Sequence, residues 1–490
     1  MSADLLSAGR ATYNKELETW ISKKKASVEL INAVGHLLYD KSVELVLFRN
    51  HLVDTSVSEV MLLHKYAEDV VGKPISVFDT SAIANKLMEM DLGPSKIDVG
   101  LLTAEWTETK DTFDSMDAFL TSKLGDFTAL DTSSEIEPRD VVLFGFGRIG
   151  RLAARELIQQ FGRGQQLRLK AIVTRKVNET EIRKRADLLR LDSVHGPFPG
   201  TVVPDIERQA IIVNGQIIKM IEAPSPESVN YEEHGISDAL LIDNTGAFRD
   251  RAALSRHLGS KGISKVILTA PGKEVPNIVY GINHNTLDLD NENVFSAASC
   301  TTNAISTVLS VVEKEYGIDK GHIETVHAYT NDQNLLDNYH KKERRGRSAA
   351  LNMVITETGA GKAVTKVIPE LKDKLTANAV RVPVPNGSLA IMNLSLHKET
   401  SVDDINRVVR KAALEGDLVN QIHYSIEPEL VSSDIVGDTC CSVYDSQATL
   451  VHPDKKNVVL YVWYDNEFGY TKQVIRLAKY VAKVRRKHYY

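Results

Sequence analysis

The sequence predicts an α/β protein preceded by a small all-α domain, and three features of the 490-residue chain support this prediction. After Arg139, strand-like segments alternate with helical ones, as they do in a parallel sheet. The first of these strands, 141–144, runs into the glycine-rich turn and helix of a Rossmann-type nucleotide-binding domain. From Thr325 onward, segments such as 391–396 and 458–463 predict an α+β domain with a largely antiparallel sheet.

The first 136 residues are predicted to form the all-α domain. Apolar residues recur there at helical spacing, at Val28, Ile31, Val34 and Leu37. Further apolar groups at 43–47, 60–63, 81–88 and 112–120 predict four to six helices in all. The polar stretch 131–138 is the predicted linker to the rest of the chain. No motif with recognisable chemistry occurs in this region.

Composition and charge exclude several classes of protein. The chain has no run of 18 apolar residues for a membrane-spanning helix and no secretion signal at its N-terminus. Three cysteines without metal-binding spacing favour a reducing compartment, so we expect a cytoplasmic protein without a bound metal. Residues 1–138 carry a net charge of −10 and the remainder +4. The basic cluster at 483–487 is interpreted as a solvated surface, and nucleic-acid binding is not expected.

Residues 296–305, with the sequence SAASCTTNAI, give the strongest indication of chemistry. Cys300 lies between small and hydroxylated residues, just before an apolar run that predicts a helix starting near Thr301 or Thr302. Unpaired N–H groups and the helix dipole stabilise a thiolate at such a position. They can lower a thiol pKa from about 8.5 to roughly 3.5–7.5. Cys300 is therefore a candidate nucleophile, and a small packing residue is the alternative.

A short β-branched strand at 324–330 carries one histidine, His327. A strand histidine is more often structural than catalytic. Beside a thiol, however, it is the natural base, because Cys–His pairing activates a cysteine nucleophile. His327 is therefore the candidate base for Cys300.

The turn after strand 141–144 has the pattern G-x-G-x-x-G, formed by Gly145, Gly147 and Gly150. Glycines permit a tight turn, close approach of a pyrophosphate and packing of the next helix on the strand. The motif alone is weak, but it lies between a strand and a helical segment at 151–158. The sequence therefore predicts dinucleotide binding here.

Six motifs occur in the order found in phosphorylating glyceraldehyde-3-phosphate dehydrogenases, and the chain resembles this family from near Arg139 to its C-terminus. They are FGFGRIGR (144–151), DSVHG (192–196), NTGAF (244–248), SCTTN (299–303), RVPVPN (381–386) and WYDNEFGY (463–470). The resemblance implies an NAD(P)-binding Rossmann domain at 139–299, completed by a final helix at 466–490, and a catalytic domain at 300–465. The helical extension at 1–136 lies outside it.

The resemblance also implies a mechanism. Cys300 attacks the substrate aldehyde while His327 takes the thiol proton, hydride passes to a nicotinamide nucleotide, and phosphate releases the acyl group from a thioester. The residues assigned to the nucleotide are Gly145, Gly147, Arg148, Ile149, Gly150, Thr245, Thr269, Asn466 and Tyr470. Asn466 corresponds to the family asparagine that holds the nicotinamide carboxamide.

Two anions have to be bound in that mechanism, the phosphate of the substrate and the attacking phosphate. The donors that match those of the family are Ser299, Thr301, Thr330, Thr358, Gly359 and Arg381. Hydroxyls, backbone N–H groups and a guanidinium can all donate to phosphate oxygens. Asp332 stands where many members have a second threonine, which makes Arg344 and Arg347 candidate additional donors.

The chain departs from the family pattern after its second strand, 167–173. Glycolytic members carry an aspartate there that accepts hydrogen bonds from the adenosine ribose, whereas this chain has Thr174 and Arg175. An arginine attracts the 2′-phosphate that a carboxylate repels. Arg175, with Lys176 beside it, therefore predicts NADP or dual use of NAD and NADP. An Arg175 that points into solvent is the alternative.

The resemblance implies a homotetrameric glyceraldehyde-3-phosphate dehydrogenase of glycolysis or gluconeogenesis that uses inorganic phosphate. Erythrose-4-phosphate dehydrogenase is the alternative enzyme. A protein of another class, regulatory or scaffolding, is the third hypothesis; it would act through the helical extension, whose partner is unknown.

Overall fold

The computed structural model describes residues 3–128 and 136–490, with side chains described from residue 12 onward. The chain divides into two compact units. The small unit comprises Met1–Glu137 with Arg485–Tyr490, and the large unit comprises Pro138–Val484. Residues 131–135 of the predicted linker lie outside the described residues.

The small unit is built from helices that begin at polar capping residues. Ser56 caps the second helix in a capping box with Glu59, and Asp98 caps the fourth by accepting from the Leu101 N–H. Its core contains the buried face of the first helix, including Leu30, Ala33 and Leu37. The elements are α1 (Ala3–Lys41), β1 (Val43–Leu47), β2 (Asn50–His51), α2 (Val57–Tyr66), α3 (Val77–Glu89), β3 (Ser95–Asp98), α4 (Val99–Thr109) and α5 (Met116–Leu124).

The helices predicted for this region are confirmed, but the all-α description omitted a small sheet. β1 pairs antiparallel with β2 and parallel with β3. Residues 43–47 were expected in a helix, and all five are buried in a strand instead. The strand ends in a turn at Phe48 and Arg49, which both have positive φ. A short, continuous apolar run does not distinguish a buried strand from a buried helix, which explains the error.

The first part of the large unit is a mostly parallel sheet of eight strands, as predicted. Its strand order is β11-β10-β9-β4-β5-β8-β7-β6, and only β6 and β7 introduce antiparallel pairing. The elements are β4 (Arg139–Phe144), α6 (Arg148–Gln159), β5 (Leu167–Thr174), α7 (Glu179–Arg190), β6 (Val202–Asp205), β7 (Ala210–Val213), β8 (Gln216–Glu222), β9 (Ala239–Asp243), α8 (Arg251–Ser255), β10 (Ile263–Leu268) and β11 (Val294–Ser296).

The second part of the large unit contains a largely antiparallel sheet, again as predicted. Its strand order is β13-β14-β12-β15-β19-β17-β16, and β18 pairs with β19. The elements are α9 (Cys300–Tyr316), β12 (Ile318–Ala328), β13 (Val354–Thr356), α10 (Ala360–Val367), β14 (Leu375–Val382), β15 (Ser388–Leu396), α11 (Val402–Leu414), β16 (Ile422–Ser425), β17 (Ser442–Asp445), β18 (Leu450–Val451), β19 (Asn457–Tyr464) and α12 (Phe468–Val481).

The last helix is shorter than expected. α12 packs on α6, where Lys472 and Glu156 form a buried ion pair, but it ends at Val481 rather than near residue 490. Lys483 has a positive φ, and the chain then forms the strand β20 (Lys487–Tyr489), which pairs parallel with β3 of the small unit. Arg486 is buried and pairs with Glu44, so the cluster at 483–487 is not simply a solvated surface.

None of the described helices is both long and apolar enough to cross a membrane.

Candidate active site

Cys300 is the first residue of α9 and is half-buried. The preceding Ser299 caps the helix, because its hydroxyl accepts a hydrogen bond of 3.0 Å from the Thr302 N–H. The helix therefore starts one or two residues earlier than the sequence indicated. The thiol lies at the amino end of a buried helix, where backbone N–H groups are available to a ligand.

His327 lies next to Cys300, as a Cys–His pair requires. Its Nε2 atom is 3.6 Å from the Cys300 Sγ, and its ring is almost fully buried. Near the carboxyl end of β12, the Nδ1 atom lies 2.7 Å from the Ala328 carbonyl oxygen. An Nδ1–H that donates to this carbonyl leaves Nε2 free to accept the thiol proton.

Arg381 lies next to His327 because their two strands are paired in the sheet. β12 and β14 run parallel, with His327 directly beside Arg381. The Nη1 of Arg381 donates to the Ala328 carbonyl at 2.9 Å and to the Thr330 hydroxyl at 3.1 Å. Its Nε is buried and has no hydrogen-bond partner among the described residues. An unpaired guanidinium N–H beside a nucleophile is suited to bind an anionic group.

Burial determines the protonation states of Cys300 and His327. It lowers the pKa of His327 to about 3, with the Arg381 guanidinium acting in the same direction. Burial also raises the pKa of the Cys300 thiol, and Arg381 is the largest opposing influence. The resting pair is therefore a neutral thiol beside a neutral imidazole. At Cys300 the cost of burying a charge therefore outweighs the stabilisation of a thiolate by the helix N-terminus.

Aromatic hydroxyls from the end of the chain close the site. The hydroxyls of Tyr464 and Thr301 are 3.0 Å apart, and the Tyr464 ring packs edge-on against His327. The Tyr470 hydroxyl donates to the Ala298 carbonyl at 2.9 Å, which fixes the approach to Cys300. Asn466 is buried, and its side-chain oxygen accepts from Ser388 at 2.8 Å. These contacts bring the motif 463–470 to the catalytic pair.

The glycine-rich turn has the geometry of a phosphate cradle. Gly145 has a φ of +93°, and a Cβ at Gly150 would lie 2.5 Å from the Gly145 oxygen, so neither position accommodates a side chain without strain. Gly147 is the N-cap residue of α6 and has open space where a Cβ would project. The turn thus presents free backbone at a helix N-terminus, which is suited to a pyrophosphate.

The other residues assigned to the nucleotide lie at the carboxyl ends of strands or in the helix after the turn. Asp243 accepts from the backbone N–H and the hydroxyl of Thr245, and Thr269 donates to the Asp243 carbonyl. The guanidinium of Arg148 is engaged by two carboxylates, Asp192 and Glu467. Ile149 is half-buried in the first turn of α6.

Arg175 is exposed just beyond the end of β5. Within the described ranges, no carboxylate lies within ion-pair distance of it. The neighbouring Thr174 is buried, and its hydroxyl donates to the Lys176 carbonyl. Arg175 is therefore an exposed cation at the end of β5, where its side chain can contact a ligand or remain in solvent.

Two of the predicted anion donors lie apart from the Cys–His pair. Thr358 and Gly359 line a cavity of about 1140 Å³ at the start of α10, together with Arg344, Arg345 and Lys362. A chain of contacts connects this cavity to the pair: Arg381 donates to Thr330, Thr330 to Asp332, and Asp332 pairs with Arg345. Arg347, the other candidate donor, pairs with Asp337 instead.

Sequence reasoning missed several members of this arrangement. Tyr464 lies inside the motif 463–470, but the sequence predicts no separate function for it. Arg345 was passed over for its neighbours because a run of basic residues gives no sign of which one turns inward. The buried pair of His257 and Asp243 behind Thr245 carried no detectable signal, since the two residues are far apart in the sequence.

Comparison with known families gives two matches to the large unit. Residues 139–251 match the NAD binding domain of glyceraldehyde 3-phosphate dehydrogenase, and residues 299–466 match its C-terminal domain. Together with the phosphate cradle and the Cys–His pair, the matches define an NAD(P)-dependent oxidoreductase that acts on an aldehyde group.

Individual relatives make the assignment more specific. A glyceraldehyde-3-phosphate dehydrogenase of Priestia megaterium is 40% identical over 69% of this chain and 96% of its own length, and glyceraldehyde-3-phosphate dehydrogenase 1 of Bacillus subtilis is 39% identical over similar shares. The chain belongs to the glyceraldehyde-3-phosphate dehydrogenase family. A glyceraldehyde-3-phosphate dehydrogenase-like protein of Pseudomonas aeruginosa is 46% identical over 93% of this chain and 98% of its own length. An alignment of that extent includes most of the small unit.

Proposed function

We propose that the protein oxidises glyceraldehyde-3-phosphate with inorganic phosphate to 1,3-bisphosphoglycerate, in glycolysis or gluconeogenesis. The observation that carries the proposal is the 3.6 Å approach of the Cys300 Sγ to the His327 Nε2 at the start of α9. We also propose that the large unit comprises a nucleotide-binding domain, 139–299, and a catalytic domain, 300–465.

In the proposed reaction, the His327 Nε2 takes the thiol proton as the Cys300 Sγ bonds to the aldehyde carbon. The Cys300 N–H and the imidazolium stabilise the oxygen of the resulting thiohemiacetal. A nicotinamide nucleotide held by the glycine-rich turn and Asn466 would supply the hydride acceptor, and loss of hydride from the thiohemiacetal carbon leaves a thioester on Cys300. Phosphate attacks the thioester carbonyl, and the acyl phosphate departs as Cys300 is released.

The predicted anion donors form two groups, one near Arg381 and one in the cavity that contains Arg345. The contacts through Thr330 and Asp332 join the two groups. We propose that Arg381, Thr330, Ser299 and Thr301 bind a phosphate near the thiol. Thr358 and Gly359 then serve the second anion in the cationic cavity at the start of α10. Arg381 carries a buried, unpaired Nε–H, which supports its assignment as the anchor.

We propose that the protein uses NADP, alone or as well as NAD. Support comes from Arg175 and Lys176, both exposed at the end of β5, where a carboxylate would be needed to reject a 2′-phosphate. Arg175→Asp is expected to lower kcat/KM for NADP by roughly 10–100-fold, the equivalent of one charge-assisted hydrogen bond, with little effect on NAD. An equal loss with both nucleotides would contradict the assignment.

We further propose a homotetramer. Support comes from an apolar patch that a single copy leaves exposed, formed by Leu335, Leu336, Tyr339, Leu351 and Met353, each at least 72% accessible. Exposed apolar surface of this extent is typical of a subunit interface. Light scattering of the purified protein measures the mass directly.

The deciding experiment is steady-state kinetics with glyceraldehyde-3-phosphate and with erythrose-4-phosphate, each with and without inorganic phosphate and with NAD or NADP. The proposal expects phosphate-dependent turnover that is fastest with glyceraldehyde-3-phosphate. Faster turnover of erythrose-4-phosphate would assign the alternative activity. Absence of turnover with both aldehydes would leave the regulatory or scaffolding hypothesis.

A further inference from the structure

From Tyr13 to Ser22, the side chains of α1 lie outside the core of the small unit. Every residue from Thr12 to Ser22 is exposed, and the helix first buries side chains at Ala26 and Ser27. From there on, residues such as Leu30 and Leu37 enter the core. The helix therefore extends for several turns beyond the body that stabilises it.

This projecting segment carries an apolar stripe of its own. Tyr13, Leu17, Trp20, Ile21 and Val28 are between 42% and 64% exposed. At 3.6 residues per turn they fall within an arc of about 100° on the helix surface. That arc lies on a different side of α1 from the buried stripe. Lys24 falls within the same arc, where its aliphatic stem can lie along the apolar side chains. A stripe of this kind is characteristic of a helix that packs against another helix.

Charges of opposite sign flank the centre of the stripe. Glu16 and Glu18 precede Trp20, and Lys23, Lys24 and Lys25 follow Ile21. All of these groups except the half-buried Lys23 are exposed. Lys15 also lies in the first half, so residues 13–20 have a net charge of −1 and residues 21–28 have a net charge of +3. A partner with the reverse order of charges would match it along its whole length.

We infer that this partner is the same segment of a second copy of the chain, in an antiparallel pair. A two-fold axis between Trp20 and Ile21 sets Tyr13 opposite Val28 of the second copy. On one flank of the pair the same axis brings Glu16 near Lys23 of the second copy, and on the other flank it brings Glu18 near Lys25. A parallel pair in equal register would instead set like charges against each other, which is unfavourable.

The paired segment from Tyr13 to Val28 is about 22 Å long, since an α-helix rises about 1.5 Å per residue. A coiled coil of that length buries less than the roughly 800 Å² per partner of a standard interface. The contact therefore works best between copies that are already close, as in a larger assembly of the large units, where the effective concentration is high. It does not depend on the activity proposed above.

Cysteine cross-linking of the full-length protein tests both the contact and its direction. Tyr13→Cys and Val28→Cys chains carrying different affinity tags are co-expressed and treated with a short bis-maleimide. The antiparallel pair cross-links one variant to the other and neither variant to itself, because identical positions are then about 22 Å apart along the axis. Thr19→Cys, on the opposite side of the helix, is the matched control, and the wild type gives the background from its three native cysteines.

A second comparison tests the charges. Replacing Lys23, Lys24 and Lys25 by glutamate is expected to abolish the cross-link in the Tyr13→Cys and Val28→Cys pair. Adding Glu16→Lys and Glu18→Lys to the same chains is expected to restore it, since the order of charges is then inverted in both copies. Cross-linking of Tyr13→Cys to itself, equal cross-linking of Thr19→Cys, or no product above background would each overturn the inference.

Discussion

The two units each bury a cluster of ionisable groups, and the clusters are built in opposite ways. In the small unit, Glu44 accepts from His51 at 2.9 Å, from Lys96 at 3.0 Å and from Arg486 at 3.1 Å. We refer to these four residues as the Glu44 cluster. In the large unit, the catalytic cluster of Cys300, His327 and Arg381 contains no carboxylate, and its histidine is held by a backbone carbonyl.

The difference indicates which cluster holds the fold and which reacts. In the Glu44 cluster a carboxylate pairs with two cations from other segments, Lys96 and Arg486, so the charges compensate each other and the sheet is held together. In the catalytic cluster, burial shifts the pKa values of the thiol and the imidazole, and no carboxylate neutralises Arg381 directly. Groups with strongly shifted pKa values in a cleft are typical of active sites. Substitutions should therefore separate activity from stability.

The largest effect is expected at the nucleophile. Cys300→Ala removes the atom that forms the thioester, so kcat should fall by roughly 10⁴-fold or more, as for other covalent nucleophiles. The thiol is half-buried, and the melting temperature should change little. Phosphate-dependent nucleotide reduction and a thermal melt measure the two quantities. Cys441→Ala, at a buried cysteine outside the cluster, is the control and should retain activity. Normal turnover by Cys300→Ala would remove Cys300 from the mechanism.

His327→Asn should lower kcat by about 10²–10⁴-fold, the usual contribution of general acid–base catalysis. The amide fills similar space but does not take the thiol proton. Alkylation of Cys300 by iodoacetamide across pH distinguishes this function from a structural one. Loss of the base should slow alkylation at neutral pH, whereas a purely structural residue would leave the rate unchanged in the folded protein.

Glu44→Gln should destabilise the small unit by about 3–5 kcal/mol, because the buried Arg486 loses the carboxylate with which it pairs. Activity per folded molecule should be unaffected. Urea unfolding followed by tryptophan fluorescence reports on this unit, which contains two of the three tryptophans, Trp20 and Trp106. Glu68→Gln, at an exposed ion pair with Lys65, is the control and should cost less than about 1 kcal/mol. Equal effects of the two substitutions would contradict the comparison.

His327 should also make the large unit sensitive to acid. Its pKa is lowered to about 3 in the folded protein, so between that value and about 6.5 the unfolded chain binds a proton that the folded chain does not. Stability therefore falls as the pH falls through this window, by at most about 1.4 kcal/mol per pH unit. His327→Asn should flatten the dependence of the free energy of unfolding on pH. An unchanged slope would mean that another group causes the acid sensitivity.

The smallest effect concerns the C-terminal strand. The Tyr489 hydroxyl lies 2.5 Å from the Glu105 carboxylate, so Tyr489→Phe removes one partly buried hydrogen bond. The small unit should lose about 1 kcal/mol. Urea unfolding measures the loss, with Tyr13→Phe on the projecting helix as the control. A loss as large as that of Glu44→Gln would mean that the strand depends on this contact more than on the Glu44 cluster.

The sequence was a good guide where a motif records local geometry. Cys300 and His327 could be paired because each occupies a recognisable segment, and the parallel and antiparallel sheets followed from the alternation of elements. The sequence did not predict contacts between segments that lie far apart along the chain. β20 joins β3 across almost the whole chain, and its three residues are too short to carry a pattern. The neutral state of Cys300 was missed because burial is a property of the folded site, which a motif does not report.

The pairing of β20 with β3 constrains the order in which the chain acquires its structure during synthesis. The ribosome completes residues 1–137 long before it makes 485–490, and at about 5–20 residues per second the interval is on the order of half a minute. During that time β3 has an unpaired edge, and Glu44 lacks Arg486. The small unit can therefore complete its sheet only after residues 485–490 have left the ribosome, so chains that stop before β20 never form the full sheet. Completion of the small unit thus requires synthesis of the whole large unit first.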